Sequence, residues 1–502
     1  MGMFDIFRRK EKPVQKRRFD GAQGGRLFAD FMASQRSADS EIRYSLKTLR
    51  DRCRDLARNN EYARRYIHLV KTNVVGERGA TLQVKAINTD GTLDTIGNQQ
   101  IEREWNRWAK VGNCTVDGKM SFVDAQALAV ESMARDGEAL IRIVNYPGNK
   151  DRFALQFLEP DVIDEEKNER APNGNEIRMG VEFDQYRRPV AYHILSEHPG
   201  DYQFTQYSRT TQRVEAENLI HLYLPDRAQQ TRGVPWMSTA IKSLKMLHGY
   251  REAELVAART AASKMGFFVS RSGDGFMGDD VEDSVVPITD AEPGTFFQLP
   301  KDVEFQPWDP SHPTSAFGDF EKSILRGIAS GLGVSYHSLA NDLTQTSYSS
   351  IRQGSIEDRD FYRTIQHYLI QHFVLPVYER WLSNAFLLGS VNLPIDKFDK
   401  FAGASQFRPR GFQWVDPQRE ISAHVIALQN GLISLQDVAN VYGRDVEEVF
   451  AQVARDKQLA DQFGLKLAFE PFGGGQSPYG PGKINLQTGE SFDAMTEGDS
   501  GD

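Results

Sequence analysis

Apolar positions between Glu41 and Met133 recur every three or four residues, the spacing of helices that bury one face. Leu46, Leu49, Cys53 and Leu56 mark one helix, and Tyr62, Tyr66, Leu69 and Val70 mark a second that runs out near Asn73 and Gly76. A longer helical region carries Trp105 and Trp108 and continues from Phe122 to Met133. The period then changes to two. RDGEALIRIV, RFALQFL, EIRMGVEF, PVAYHIL and NLIHLYL are short alternating or apolar runs separated by Gly, Pro and Asn, which predicts an antiparallel sheet assembly between about Asp136 and Leu224.

Helical spacing returns in RGVPWMSTAIKSLKMLHGYREAELVAARTAASKMGFFV. Pro235 suits a first helical turn, and Leu244, Leu247, Arg251, Leu255, Ala258, Ala262 and Met265 step by three and four. This predicts a helix of about 30 residues, roughly 45 Å long. Lys242, Lys245 and Lys264 fall on its other side, which fits either a core helix with a solvated back or a helix lining a channel. Its alanine-rich second half lets another helix, or a copy of itself, come close. The acidic, glycine-rich stretch from Ser270 to Asp309 reads as a protruding loop-and-strand insertion. Phe320, Ile324, Ile328 and Leu332 then mark a helix that Gly331 and Gly333 end. Almost no apolar periodicity remains from Ser335 to Ser350, as in a chain crossing an open gap. Ile351, Phe361, Ile365, Tyr368, Leu369, His372 and Phe373 restore a helical stripe, which Pro376 is expected to kink without necessarily ending it. Three short helices follow, Asp416–Asn430, Leu435–Tyr442 and Asp445–Leu459, with Ser434 and Asp445 as N-caps and Glu448 placed to complete a capping box.

A chain of 502 residues implies two or three domains. Its 40% hydrophobic and 26% charged residues are those of an ordinary globular protein. A net charge of −9 argues against a protein that simply grips DNA. Basic residues nonetheless cluster in two places. Arg8, Arg9, Lys10, Lys12, Lys16, Arg17 and Arg18 form a flexible arm that either contacts nucleic acid or an acidic partner, or is merely solvated. Arg50, Arg52, Arg54, Arg58, Arg64 and Arg65 suit either DNA contacts or ion pairs between subunits. Cys53 and Cys114 are too few for a disulfide framework and fit a reduced, cytoplasmic setting. There is no run of 18 apolar residues, signal-peptide core or myristoylation motif, so neither a membrane partner nor export is expected.

Catalytic signatures are sparse. Gly482-Lys483 lacks the rest of a phosphate-binding loop, and no nucleophile elbow occurs. His367 and His372 are wrongly spaced for a zinc-protease helix, while His193 and His198 lack a third ligand in sequence. No metal, cofactor or enzymatic activity is expected. The one candidate Mg²⁺ cluster is Asp279, Asp280, Glu282 and Asp283, which reads as a solvated loop or, alternatively, as the site of a metal-dependent nuclease. Asn341, Thr344, Gln345, Thr346, Ser347 and Tyr348 offer hydroxyls, amides and one aromatic face with almost no charge, suited to weak contact with a phosphate backbone that slides past.

From about Glu41 to Phe463 the sequence resembles the lambda-type portal proteins of tailed phages. The likeness rests on Arg232–Trp236, on Gly331–Arg352 with its SYSSIR core, and on GLISLQDVANVYGRDVEEVF. It implies a predominantly helical α+β portal fold with wing, stem, clip and crown, assembled as a ring, usually a 12-mer, around a channel at one capsid vertex. Double-stranded DNA would pass through this ring, packaged by the terminase large subunit and later ejected, with head-completion or adaptor proteins and capsid or scaffold protein as further partners. The virion and, during assembly, the host cytoplasm are the implied locations. By position, residues 1–40 form the arm, 41–230 the wing, 231–269 the stem helix, 270–314 the clip and 315–333 a second stem helix. Residues 334–350 form the tunnel loop, 351–412 a kinked wing helix and connection, 413–463 the crown, and 464–502 a disordered tail. Lys242, Lys245 and Lys264 would face the channel, and Asp279, Asp280, Glu282 and Asp283 would belong to the surface that docks terminase or adaptor. A DNA-binding adaptor acting through the basic arm is a third reading; it predicts salt-sensitive binding lost when residues 1–20 are removed.

Overall fold

The computed structural model describes residues 35–201, 211–262, 266–270, 303–307, 317–344, 347–412, 417–442 and 444–465. They belong to two compact units, Met1–Arg410 and Gly411–Asp502. The first opens with α1 (Ala38–Ile42), α2 (Leu46–Asn59), α3 (Glu61–Val74), β1 (Thr81–Val84), α4 (Thr95–Trp108) and α5 (Phe122–Asp136). Asn60 makes the sharp corner between α2 and α3, its side chain accepting from the Tyr62 and Ala63 amides. Ser121 and Asp124 cap α5 reciprocally, and Gly137, at φ 90°, ends it.

The alternating runs become β2 (Ala139–Val144), β3 (Ala154–Leu158), β4 (Glu169–Arg170), β5 (Glu176–Arg178), β6 (Val181–Phe183), β7 (Pro189–Leu195), β8 (Thr211–Glu215) and β9 (Leu219–Leu222). They form two antiparallel sheets, ordered β3-β2-β9 and β4-β5-β6-β7-β8. Leu140, Ile163, Val181, Tyr192, Val214 and Leu219 make one apolar core with them. A second core is aromatic. Trp105 lies 4.9–5.5 Å, centroid to centroid, from Trp108, Phe122, Tyr378 and Trp381, gathering α4, α5 and a distant helix of the same unit.

After β9 come α6 (Ile241–Ala262), the antiparallel pair β10 (Gly266–Ser270) and β11 (Val303–Pro307), then α7 (Phe317–Leu332), α8 (Tyr336–Ala340) and α9 (Tyr348–Leu369). A π turn, Ile370–Val374, joins α9 to α10 (Leu375–Leu387), and α11 (Phe398–Ala402) precedes β12 (Ser405–Arg408), which pairs with β1. The second unit contains α12 (Pro417–Gln429), α13 (Leu435–Val441) and α14 (Val446–Gln462). Ser434 caps α13 in a box with Asp437, and Asp445 caps α14 by accepting from the Glu447 and Glu448 amides.

Several expectations change. The helix expected from Pro235 begins at Ile241, because residues 231–235 run irregularly over a buried carboxylate and 236–240 form turns. On α7 the buried stripe is Leu325, Ile328, Ala329 and Leu332, while Phe320 is exposed. The supposedly aperiodic run contains α8, and α9 starts at Tyr348, three residues before Ile351. The irregularity near Pro376 is a π turn: Leu375 N–H reaches back five residues to the Ile370 carbonyl, a widening that accommodates a proline ring without an N–H.

Candidate functional site

Two short stretches of the first unit, RDGEAL and RGVPW, dock on each other through one carboxylate. Glu138 is fully buried at the start of β2. Arg232, also fully buried, donates to it from Nε at 2.9 Å and again from its terminal nitrogen, while the Gly233 amide donates at 2.9 Å. His221 Nε2 lies 2.9 Å from the same carboxylate, and Arg50, buried on α2, contributes at 3.0 Å. Burial alone would push the Glu138 carboxyl up, but Arg232, His221 and Arg50 outweigh it and hold it well below the usual carboxylate range. Backbone proximity makes this docking possible. A Cβ on Gly233 would overlap the Gly137 carbonyl, and one on Gly137 would overlap the Val234 and Pro235 backbone. Asp39 of α1 completes the clasp by accepting from the Thr231 amide and hydroxyl, both at 2.8 Å.

The arginine cluster of α2 and α3 is therefore partly structural within one chain, rather than reserved for DNA or for pairs between subunits. Besides Glu138, Arg50 pairs with Glu165 at 2.8 Å and Asp161 at 3.3 Å; Arg54 pairs with Asp136 at 2.7 Å and Asp161 at 2.5 Å. Neither was legible as a partner because the acids lie about a hundred residues away. His198 does meet two acids in space, Glu159 and Asp161, with ligand atoms within 4.8 Å of one another. Both Asp161 oxygens, however, already accept from guanidinium groups. Cys53 and Cys114 are buried thiols that burial pushes up to about 12, so they behave as apolar core groups.

The polar run after α7 is built around Asp358 of α9. Its carboxylate accepts from the Ser335 amide at 2.7 Å, the Ser335 hydroxyl at 2.9 Å and the Ser338 hydroxyl at 2.6 Å. Ser335 also caps α8, and Arg65 of α3 donates to the Ser338 carbonyl at 3.2 Å, so α8 is held from two sides. Asn341 ends α8 in the left-handed region, at φ 54°. Asp342 then accepts from the Thr344 hydroxyl and amide and the Tyr336 hydroxyl, and these bonds bring its carboxyl down to about 2. Ser347 caps α9. Asn341, Thr344 and Ser347 are exposed, and Tyr348 opens α9; Gln345 and Thr346 lie outside the described residues.

Lys242 and Lys245 are exposed on α6. Arg251 of the same helix binds Glu61 at 3.1 Å and Glu321 at 3.2 Å, locking α6 to α3 and α7. Lys264, Asp279, Asp280, Glu282 and Asp283 lie outside the described residues, as do the basic arm at residues 8–18 and the C-terminal tail beyond Leu465. No described helix is long and apolar enough to cross a membrane.

Residues 24–366 match the family described as phage portal protein, lambda family. A protein named probable portal protein from Halomonas phage phiHAP-1 is 35% identical, over 91% of this chain and 89% of its own length. The portal protein of Escherichia phage N15 is 23% identical, over 89% and 90% of the two chains, and portal protein B of Escherichia phage lambda is 24% identical, over 83% and 84%. Among solved structures, a chain from the neck of a native gene transfer agent particle, computed with C12 symmetry, is 14% identical. It aligns over 80% of this chain and 92% of its own with a TM-score of 0.40. A chain from the virion of a native gene transfer agent particle aligns over 83% and 98%, at 12% identity and a TM-score of 0.41.

Proposed function

The chain belongs to the lambda family of phage portal proteins, the head-tail connectors at the capsid's portal vertex, and from that premise we propose how its parts serve the DNA channel. The family is structural, and the nuclease alternative has no support among these relatives. Twelve subunits close into a ring in the virion, built from protein made in the host cytoplasm. The terminase large subunit docks on the clip, including Asp279, Asp280, Glu282 and Asp283. Head-completion or adaptor proteins take its place after packaging, and capsid or scaffold protein binds the outer part of the ring. α6 and α7 are the stem, with Lys242, Lys245 and Lys264 toward the channel, and the second unit is the crown.

Asn341–Tyr348 is the tunnel loop. The observation that carries this assignment is the contrast between its ends and its middle. α8 is pinned to Asp358 and α9 is capped by Ser347, whereas the segment between them, exposed at Asn341 and Thr344, carries a single charge, the Asp342 carboxylate, which Thr344 and Tyr336 hydrogen-bond and which lies 3.9 Å from Lys322. Such a segment touches phosphates without the counterion release that would hold them. Deleting residues 344–349 tests it. Rings should still form under the electron microscope while DNA packaging or retention falls; undiminished phage yield from the deletion would refute the loop assignment.

A further inference from the structure

Two of the α2–α3 arginines take no part in the Glu138 network or in holding α8. Arg58 and Arg64 are exposed and meet no carboxylate among the described residues. Both line a cleft of about 710 Å³ walled by α2, α3 and α5. Arg54 and Arg58 follow each other at i, i+4 along α2, and Arg64, His68 and Lys71 at i, i+4, i+7 along α3, so each helix turns one basic edge to the cleft. Two carboxylates also line it, but both are engaged: Glu131 binds Lys71 at 2.8 Å and Arg135 at 3.3 Å, and Glu159 binds His198 at 3.0 Å. The cleft therefore keeps an excess of positive charge in a chain whose net charge is −9.

We propose that this cleft is a second DNA-contact site, separate in sequence from the tunnel loop, in which Arg58 and Arg64 each bind a phosphodiester group of a duplex. Their forked donors match a phosphate oxygen pair, whereas Arg54 and Arg135 are already held by Asp136 and leave Arg58 and Arg64 as the arginines free to take a phosphate. Ala57 and Ile67 are the only apolar side chains among its lining residues, the others being charged or histidine, which favours a charged ligand. The inference rests on the portal reading, which brings DNA to this protein. An acidic protein segment would meet the same cations, and the test separates the two.

The probe is a short fluorescent duplex bound to full-length assembled protein, with anisotropy followed across a salt series. Replacing both residues, Arg58→Ala with Arg64→Ala, should reduce the slope of log K against log salt by about 2 and weaken low-salt binding at least about tenfold. The double lysine replacement should keep the slope, and Arg103→Ala, an exposed arginine on α4 outside the cleft, should change nothing. An unchanged slope in the double alanine variant overturns the site, as does failure of the unmodified ring to bind the duplex. Binding of a polyglutamate peptide that is lost in the double variant, with duplex binding intact, overturns it in favour of an acidic partner. Ring formation, scored by microscopy on the same samples, reports on the portal reading independently: rings that fail to bind DNA here sink only the cleft.

Discussion

Glu138 accepts from two buried guanidinium groups, a histidine and a backbone amide, so removing its charge strips the buried Arg232 of its close counter-charge and takes one of three carboxylates from Arg50. Glu138→Gln should destabilise the first unit by about 3 kcal/mol or more, measured by chemical denaturation at neutral pH. The sign of the pH dependence follows from the depressed carboxyl. The unfolded chain binds the proton more readily than the folded one, so Glu138 contributes fully above its ordinary value of 4.5 and loses that contribution as the pH falls through its lower folded value. The gap between the unmodified protein and Glu138→Gln should therefore narrow in acid; a gap constant from neutral pH to well below 4.5 would contradict the network's role. Both halves of this clasp stand out in the sequence, RDGEAL as the opening of a strand and RGVPW as a motif. Their pairing does not, because 94 residues separate Glu138 from Arg232 and no local period encodes a contact at that range.

At the scale of elements, hydrophobic spacing identifies the helices and the antiparallel region, whereas side-chain bonds to backbone decide where they begin and end. α6 starts late because the Gly233 amide is given to Glu138 and the Trp236 amide to the Ala134 carbonyl, leaving the chain after Pro235 in turns. The short helix α8 escapes a periodicity search because Leu339 is its only buried residue and its stability comes from Asp358, twenty residues downstream of Ser338. That dependence is testable. Asp358→Ala removes charge-assisted bonds worth about 1.5–3 kcal/mol each, so limited proteolysis between Asn341 and Ser347 should accelerate at least about tenfold. Ring formation should persist, because the bonds removed lie within one chain; cleavage at the unmodified rate would show that α8 is held by something other than Asp358.

At the scale of the whole molecule, the stripe on α6 has two different neighbours. Leu244 and Leu247 are buried within the chain, but Leu255 is 63% exposed and Met246 64%, and Phe320 on α7 is 51% exposed. A single sequence marks all of them as apolar and cannot say whose surface covers each one. In a ring the contacts are heterologous, one patch against a different patch of the next copy, so apolar groups left bare by the fold of one chain are candidates for the seam. Leu255→Lys with Phe320→Lys should cost the isolated subunit only about 0.5–1.5 kcal/mol, the edge-on contact of Phe320 with Tyr250 being the main interaction lost. The same variant should fail to close rings, each seam then having to bury two ammonium groups without designed partners. Native mass spectrometry and negative-stain microscopy on matched concentrations decide the matter: complete rings from the double lysine variant would place the seam on another face of the subunit.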